Sequence, residues 1–123
     1  MAATSFLQRF MTCNCSFIHA RRRGALLRVV DSLMGGAKLN LSALGRGLAG
    51  RGRTKNKIKL VDRLLGNERI HDERTAVYET LTRWVLTPRS RPVILVDWSD
   101  LETGHRVQML KAAVAIDGWA LTL

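Results

Sequence analysis

The chain has 123 residues, enough for one ordinary domain or for a small domain joined to part of a second. A hydrophobic fraction of 46% excludes a wholly disordered polymer, and no apolar run approaches the roughly 20 residues that a membrane-spanning helix needs. Twenty Lys and Arg against ten Asp and Glu, a net charge of +10, point to a polyanionic partner.

Residues 1–23 contain no acid, recur in Ser and Thr, and end in the basic run Arg21-Arg22-Arg23. That profile overlaps with a mitochondrial transit peptide, but an unstructured leader or an upstream start is preferred, so 1–22 is expected to be disordered. Arg9 interrupts the apolar stretch and argues against a secretory signal. Cys13 and Cys15 are too close for an unstrained disulfide. Even with His19 they lack the spacing and the fourth ligand of a zinc site, and reduced thiols are the plainer reading.

From 22 to 34 the apolar residues Leu26, Leu27, Val30, Leu33 and Met34 fall on one face of a helix that Gly35-Gly36 stops. Ser42 is a candidate N-cap for a short helix reaching about residue 49, with Leu44 and Leu48 on one side. After the basic turn at 50–53, Thr54 is a candidate cap for a helix to Leu65, ended by Gly66-Asn67. A longer helix begins near Asp72, carries Ala76, Val77, Leu81, Trp84 and Val85, and stops at Pro88.

The period then changes. Residues 92–98 form a continuous β-rich run that reads as a strand buried on both faces, and 106–116 as a second strand. Asp117-Gly118 is a two-residue hairpin signal leading to a third strand over 119–123. The expected class is α+β: a helix-turn-helix-like bundle over 23–87, then three antiparallel strands over 88–123.

The densest charge lies between Arg46 and Arg63, with Arg51, Arg53, Lys55, Lys57 and Lys59 opposed by the single acid Asp62. On a helical wheel Ile58, Val61 and Leu65 share one side, while Asn56, Lys59 and Arg63 share the other. A basic stripe opposite a core stripe, after a turn and a short preceding helix, suits a DNA recognition helix. Lys and Arg neutralise phosphate, and Asn and Arg can also bond base edges. Arg46, Arg51, Arg53, Lys55, Asn56, Lys57, Lys59 and Arg63 are therefore the candidate DNA-binding residues. A solvated basic face is the bland alternative, and Leu60, on the same side, is left open between contact with a thymine methyl and packing on another part of the protein.

Asp97 closes the first strand, with Asp100 three residues on. An acid at a strand end serves either as a turn former or as a hard oxygen ligand for a catalytic cation. Asp100, Glu102 and Asp117 read as solvated or turn-forming acids, and His71 and His105 have no nucleophile partner. The glycines at 45, 47, 50 and 52 lack the Lys-Ser/Thr ending of a P-loop.

Two ordered stretches resemble a known family. Leu41-Ser42-Ala43-Leu44-Gly45-Arg46, Arg53-Thr54-Lys55, Ile58-Lys59 and Asp62-Arg63-Leu64-Leu65-Gly66-Asn67 look like the N-terminal region of bacterial DDE insertion-sequence transposases of the tetracycline-resistance composite-transposon kind. Val93-Ile94-Leu95-Val96-Asp97-Trp98-Ser99-Asp100 looks like the first catalytic strand of that family. The resemblance covers about residues 26–123. It implies helices that bind terminal inverted repeats of double-stranded DNA, and an RNase H-like domain in which Asp97 is the first triad member and a ligand of Mg²⁺. The second Asp, the Glu and the Tyr-Arg-Glu-Lys region of the family have no counterpart here. The chain is accordingly expected to be a truncated transposase that binds DNA, holds no Mg²⁺ stably and is inactive alone.

The alternative is a stand-alone helix-turn-helix regulator or transposition inhibitor. Self-association, or association with a full-length transposase, would suit either role. An RNA-binding protein is a third reading, against which stands an aromatic content of only 6%. A bacterial cytoplasmic location, nucleoid-associated when DNA is bound, and no membrane partner follow from the transposase reading.

Overall fold

The structure, a computed structural model, describes residues 2–101, 104 and 106–123. It is mixed: five helices precede a three-stranded antiparallel sheet. The helices are α1 (Ala2–Asn14), α2 (Ala20–Met34), α3 (Leu41–Gly47), α4 (Thr54–Leu65) and α5 (Glu68–Leu86). The strands are β1 (Ile94–Asp100), β2 (Gln108–Ile116) and β3 (Trp119–Thr122). The chain divides into two compact units, Met1–Arg74 and Thr75–Leu123, so the boundary falls inside α5 rather than at the expected 87/88.

The first unit corrects the expectation of a disordered leader. Phe6 and Phe10 lie one turn apart on α1 with stacked rings 6.5 Å between centroids. Phe10, Met11, Cys15 and Ile18 are buried. Thr4 Oγ1 donates to Asp31 Oδ1 of α2 at 3.0 Å, and the Arg23 guanidinium donates to the carbonyls of Cys15 and Ile18. Apolar spacing thus orders a segment whose lack of acids reads as a leader.

The main core is Val29 of α2, Leu44 and Leu48 around α3, and Val61 and Leu64 of α4, with Ala25, Leu26, Leu33, Leu60 and Ile70 against it. Two of the expected faces hold in part, since Leu26 and Leu33 pack against the core and Val61 is buried, but each loses its last member. Val29 and Ser32 are the buried residues of α2, whereas Met34 is 51% exposed. On α4 Leu64 is buried and Leu65 is 50% exposed.

The caps also differ from expectation. Asn40, extended at φ −145°, caps α3 by accepting from the Ala43 amide, so Ser42 lies inside the helix. Arg53 occupies the N-cap of α4 without a side-chain bond, and Thr54 is the first helical residue. Asn67 accepts from the Ile70 amide at 3.3 Å, which starts α5 four residues ahead of Asp72.

Two glycines let the helices approach. A Cβ on Gly45 would stand 2.5 Å from Ile58 Cγ1 and 2.7 Å from Ile58 Cα, so α3 meets the backbone of α4 directly. A Cβ on Gly47 would overlap the Ser32 hydroxyl, which donates to the Leu44 carbonyl at 3.0 Å in a buried site. Close packing, not phosphate cradling, accounts for these glycines.

In the second unit β1 pairs with β2 and β2 with β3, with Asp97 opposite Lys111 and Asp100 opposite Gln108. Asp117 at φ 46° and Gly118 at φ 83° form the tight hairpin foreseen for that dipeptide. The expectation that β1 is buried on both faces is corrected. Six of its seven residues are exposed in the described structure. Val85, Ala113 and Val114 are the buried apolar residues of this unit.

Gly45→Ala is expected to destabilise the helical unit by about 1–3 kcal/mol, the usual range for overpacking a tight contact. Gly52→Ala, with open space around it, should change stability by less than about 0.5 kcal/mol. Chemical denaturation of both variants, followed by helix circular dichroism, checks the contrast.

Candidate nucleic-acid interface

The α4 helix presents two chemically distinct sides because its polar and apolar residues recur at helical spacing. Val61 and Leu64 face the core, and Lys55, Asn56, Lys59 and Arg63 are exposed. Among the described residues no hydrogen bond or ion pair engages the side chains of these four. Arg51 and Arg53 are exposed in the turn that leads into the helix. The N-terminus of α4 has no side-chain cap and no acid in its first turn, leaving the positive end of the helix dipole open to an anion.

Two of the candidate DNA-binding residues are placed differently from the rest. Lys57 is half-buried, and its Nζ donates to the carbonyl of Leu48, the C-cap of α3, at 2.7 Å. Its charge offsets the negative end of that helix, so Lys57 joins α3 to α4 rather than facing outward. Arg46 is exposed on the last turn of α3 and lines a cleft with Thr4, Asp31 and Gly47. The cleft that contains Asn56 and Arg63 is a different one.

That second cleft, about 540 Å³, runs between α2 and α4. Arg21 and Arg22 contribute one wall, Asn56 and Arg63 the other, and Ala25, Leu60 and Leu64 the apolar part. Leu60, unexplained by sequence, is half-buried and packs against the main core. Arg22 is held by Glu73 in a two-pronged ion pair, its Nε donating to Oε2 at 3.3 Å. Arg21 is exposed and no bond engages its guanidinium among the described residues. Sequence reasoning placed Arg21 in the leader. The periodicity that puts Arg21 one turn before Ala25 could have set it on a helix, but only the crossing of α2 and α4 shows what it faces.

The acids of β1 do not assemble a metal cradle. Residues of a strand alternate sides, so Asp97 shares a face with Leu95 and Ser99 while Asp100 lies on the other. Asp97 is exposed with Lys111 as its cross-strand neighbour, and Asp100 Oδ1 accepts from Gln108 Nε2 at 3.0 Å. Among the described residues no three Asp, Glu, His or Cys side chains converge as a metal site would require. The described donors do not by themselves form a two-cation centre. Glu102 and His105 lie outside the described residues. His71 Nε2 bonds the Leu65 carbonyl at 2.7 Å, a structural contact.

Cys13 is exposed and Cys15 is buried, and both are free thiols. Burial pushes the Cys15 thiol above its ordinary value of 9.0, while the nearby Arg23 charge pulls it the other way. No helix among the described residues is long and apolar enough to cross a membrane.

Comparison with known proteins returns no matching family model, no matching curated protein and no matching solved structure.

Two measurements check these assignments. Lys57→Met should lower the stability of the helical unit by about 1 kcal/mol through loss of the Leu48 bond, read from its denaturation midpoint. The Cys15 thiol stays protonated to higher pH in the folded chain than in the unfolded one. Its contribution is therefore complete below about pH 9 and is lost as pH rises through the raised value. Stability measured across that alkaline range should fall more steeply in the parent chain than in Cys15→Ala.

Proposed function

We propose that the helical unit binds duplex DNA as a helix-turn-helix module, with α4 as its recognition helix and α3 as the helix before it. One observation carries the reading: Lys55, Asn56, Lys59 and Arg63 stand exposed and unengaged on a helix whose opposite side is locked into the core. The cations supply a sequence-independent attraction to phosphate. Asn56 carries the donor and acceptor pair that a bidentate contact with an adenine edge needs. Arg51 and Arg53 add charge at the open N-terminus, where a phosphate oxygen gains from the helix dipole.

On the resemblance of the motifs around α3, α4 and β1, we further assign this module to a DDE-type insertion-sequence transposase, with terminal inverted repeats as its DNA. The β1–β3 meander would then be the opening of an RNase H-like domain, with Asp97 as the first of its carboxylates and Mg²⁺ as the ion of the complete family site. The opposed placement of Asp97 and Asp100 favours a second reading for the chain by itself: a regulator that occupies element ends without cutting them.

Mobility-shift titrations with element-end duplex, random duplex and structured RNA test the proposal. Element-end DNA should bind tightest. Lys59→Ala should weaken both duplexes alike and reduce the salt dependence by about one unit of slope. Asn56→Ala should narrow the preference for element ends by about 1–3 kcal/mol, and Asp97→Asn should leave binding unchanged. Equal affinity for all three nucleic acids would sink the duplex-specific reading.

A further inference from the structure

Resting on the DNA-binding reading, we infer that the cleft between α2 and α4 is a second phosphate-backbone site, in which Arg21 and Arg63 grip one DNA strand from opposite walls. The recognition helix alone does not define the interface. Its partner wall is the first turn of α2, a segment that the sequence assigns to a leader.

Three features make the cleft suit a sugar-phosphate chain. Arg21 and Arg63 are exposed guanidinium groups on its two walls, and neither has a bonding partner among the described residues. A guanidinium offers a planar fork of donors that matches phosphate oxygens. The third arginine behaves differently: Glu73 neutralises Arg22, which braces the wall instead of presenting charge. Between the walls lie Ala25, Leu60 and Leu64, an apolar strip on which the C–H edges of a deoxyribose can rest. A free hydrated anion gains nothing from that strip. Asn56 lines the cleft at its α4 wall and belongs to the base-reading set as well, which makes the backbone site continuous with the groove-facing side of α4.

The consequence is a defined register. A helix held by phosphate contacts along one side only can roll about its axis, whereas contacts on both sides of the same strand restrict that motion. Phosphate contacts position a protein on the duplex and base contacts then specify the sequence. Arg21 therefore acts as a positioning contact for Asn56.

The test uses the full chain, a random-sequence duplex and a salt titration. Arg21→Gln and Arg63→Gln should each reduce the slope of log affinity against log salt by about one, with thermal unfolding unchanged. The double variant should lose about the sum of the two, because each wall meets its own phosphate along the strand. If Arg21→Gln leaves both slope and affinity at the parent values while Arg63→Gln and Lys59→Ala lose them, the two-walled grip is overturned and DNA binding by α4 stands. If the Arg63 and Lys59 variants also keep the parent slope, the DNA-binding reading falls with it.

Discussion

The helical unit depends on the meeting of Gly45 with the backbone of Ile58. Two helices can approach to backbone contact only where one carries no side chain at the crossing, and here any Cβ would penetrate the partner. The consequences run outward from that point. With α3 seated against α4, Leu44, Leu48, Val61 and Leu64 close one core with Val29, and Gly47 comes to rest on Ser32. The Lys57 ammonium reaches the Leu48 carbonyl, and α4 is held in one rotation. Rotation decides which residues of a helix face outward. The exposed side is therefore set by a contact on the opposite side, between Gly45 and Ile58.

The net charge of +10 is a poor guide until the cations are sorted by what they already hold. Arg22 faces Glu73, Arg23 and Arg28 donate to backbone carbonyls, Lys57 caps α3 and Arg89 bonds the Val85 carbonyl. These groups reinforce local structure. Other cations, among them Arg9, Lys38, Arg46, Arg69 and Arg83, are also exposed with no such partner among the described residues, but Arg51, Arg53, Lys55, Lys59, Arg63 and Arg21 are the ones gathered on α4, its leading turn and the adjoining end of α2. Surface charges without partners repel one another and gain most when a polyanion arrives, since binding then releases the counterions that phosphate had condensed.

Much of this was legible before any coordinates, and the misses have physical causes. Period and glycine stops located α2 through α4, and Asp117-Gly118 announced its hairpin, because these depend on neighbours in sequence. The exposed stripe of Asn56, Lys59 and Arg63 follows from helical spacing alone. Caps were harder: Asn40 and Ser42 are both competent acceptors, and backbone geometry chose Asn40. The partner of Lys57, the facing of Arg21 and the role of Leu60 depend on how helices cross, which no local pattern encodes. The α1 helix was obscured because its lack of acids resembles a targeting leader, although Phe6, Phe10 and Met11 already carried helical spacing.

The strand shows where composition misleads most. An unbroken run from Val93 to Val96 reads as fully buried because such runs usually lie under helices on both faces. In the described sheet Ile94, Val96 and Trp98 share a face with Leu110 and Leu121, and all five are exposed. The same alternation that sends these side chains one way sends Asp97 the other and separates it from Asp100. A dipositive pair requires carboxylates that converge on one point, so two acids three apart on a strand cannot supply it between themselves, however suggestive their spacing is in a line of text. The acids on β1 acquire that chemistry only if other elements bring further oxygen donors to the face that carries Asp97. Phosphate attraction at α4 carries no such condition, since each exposed cation acts on a phosphate without needing a second group to complete it.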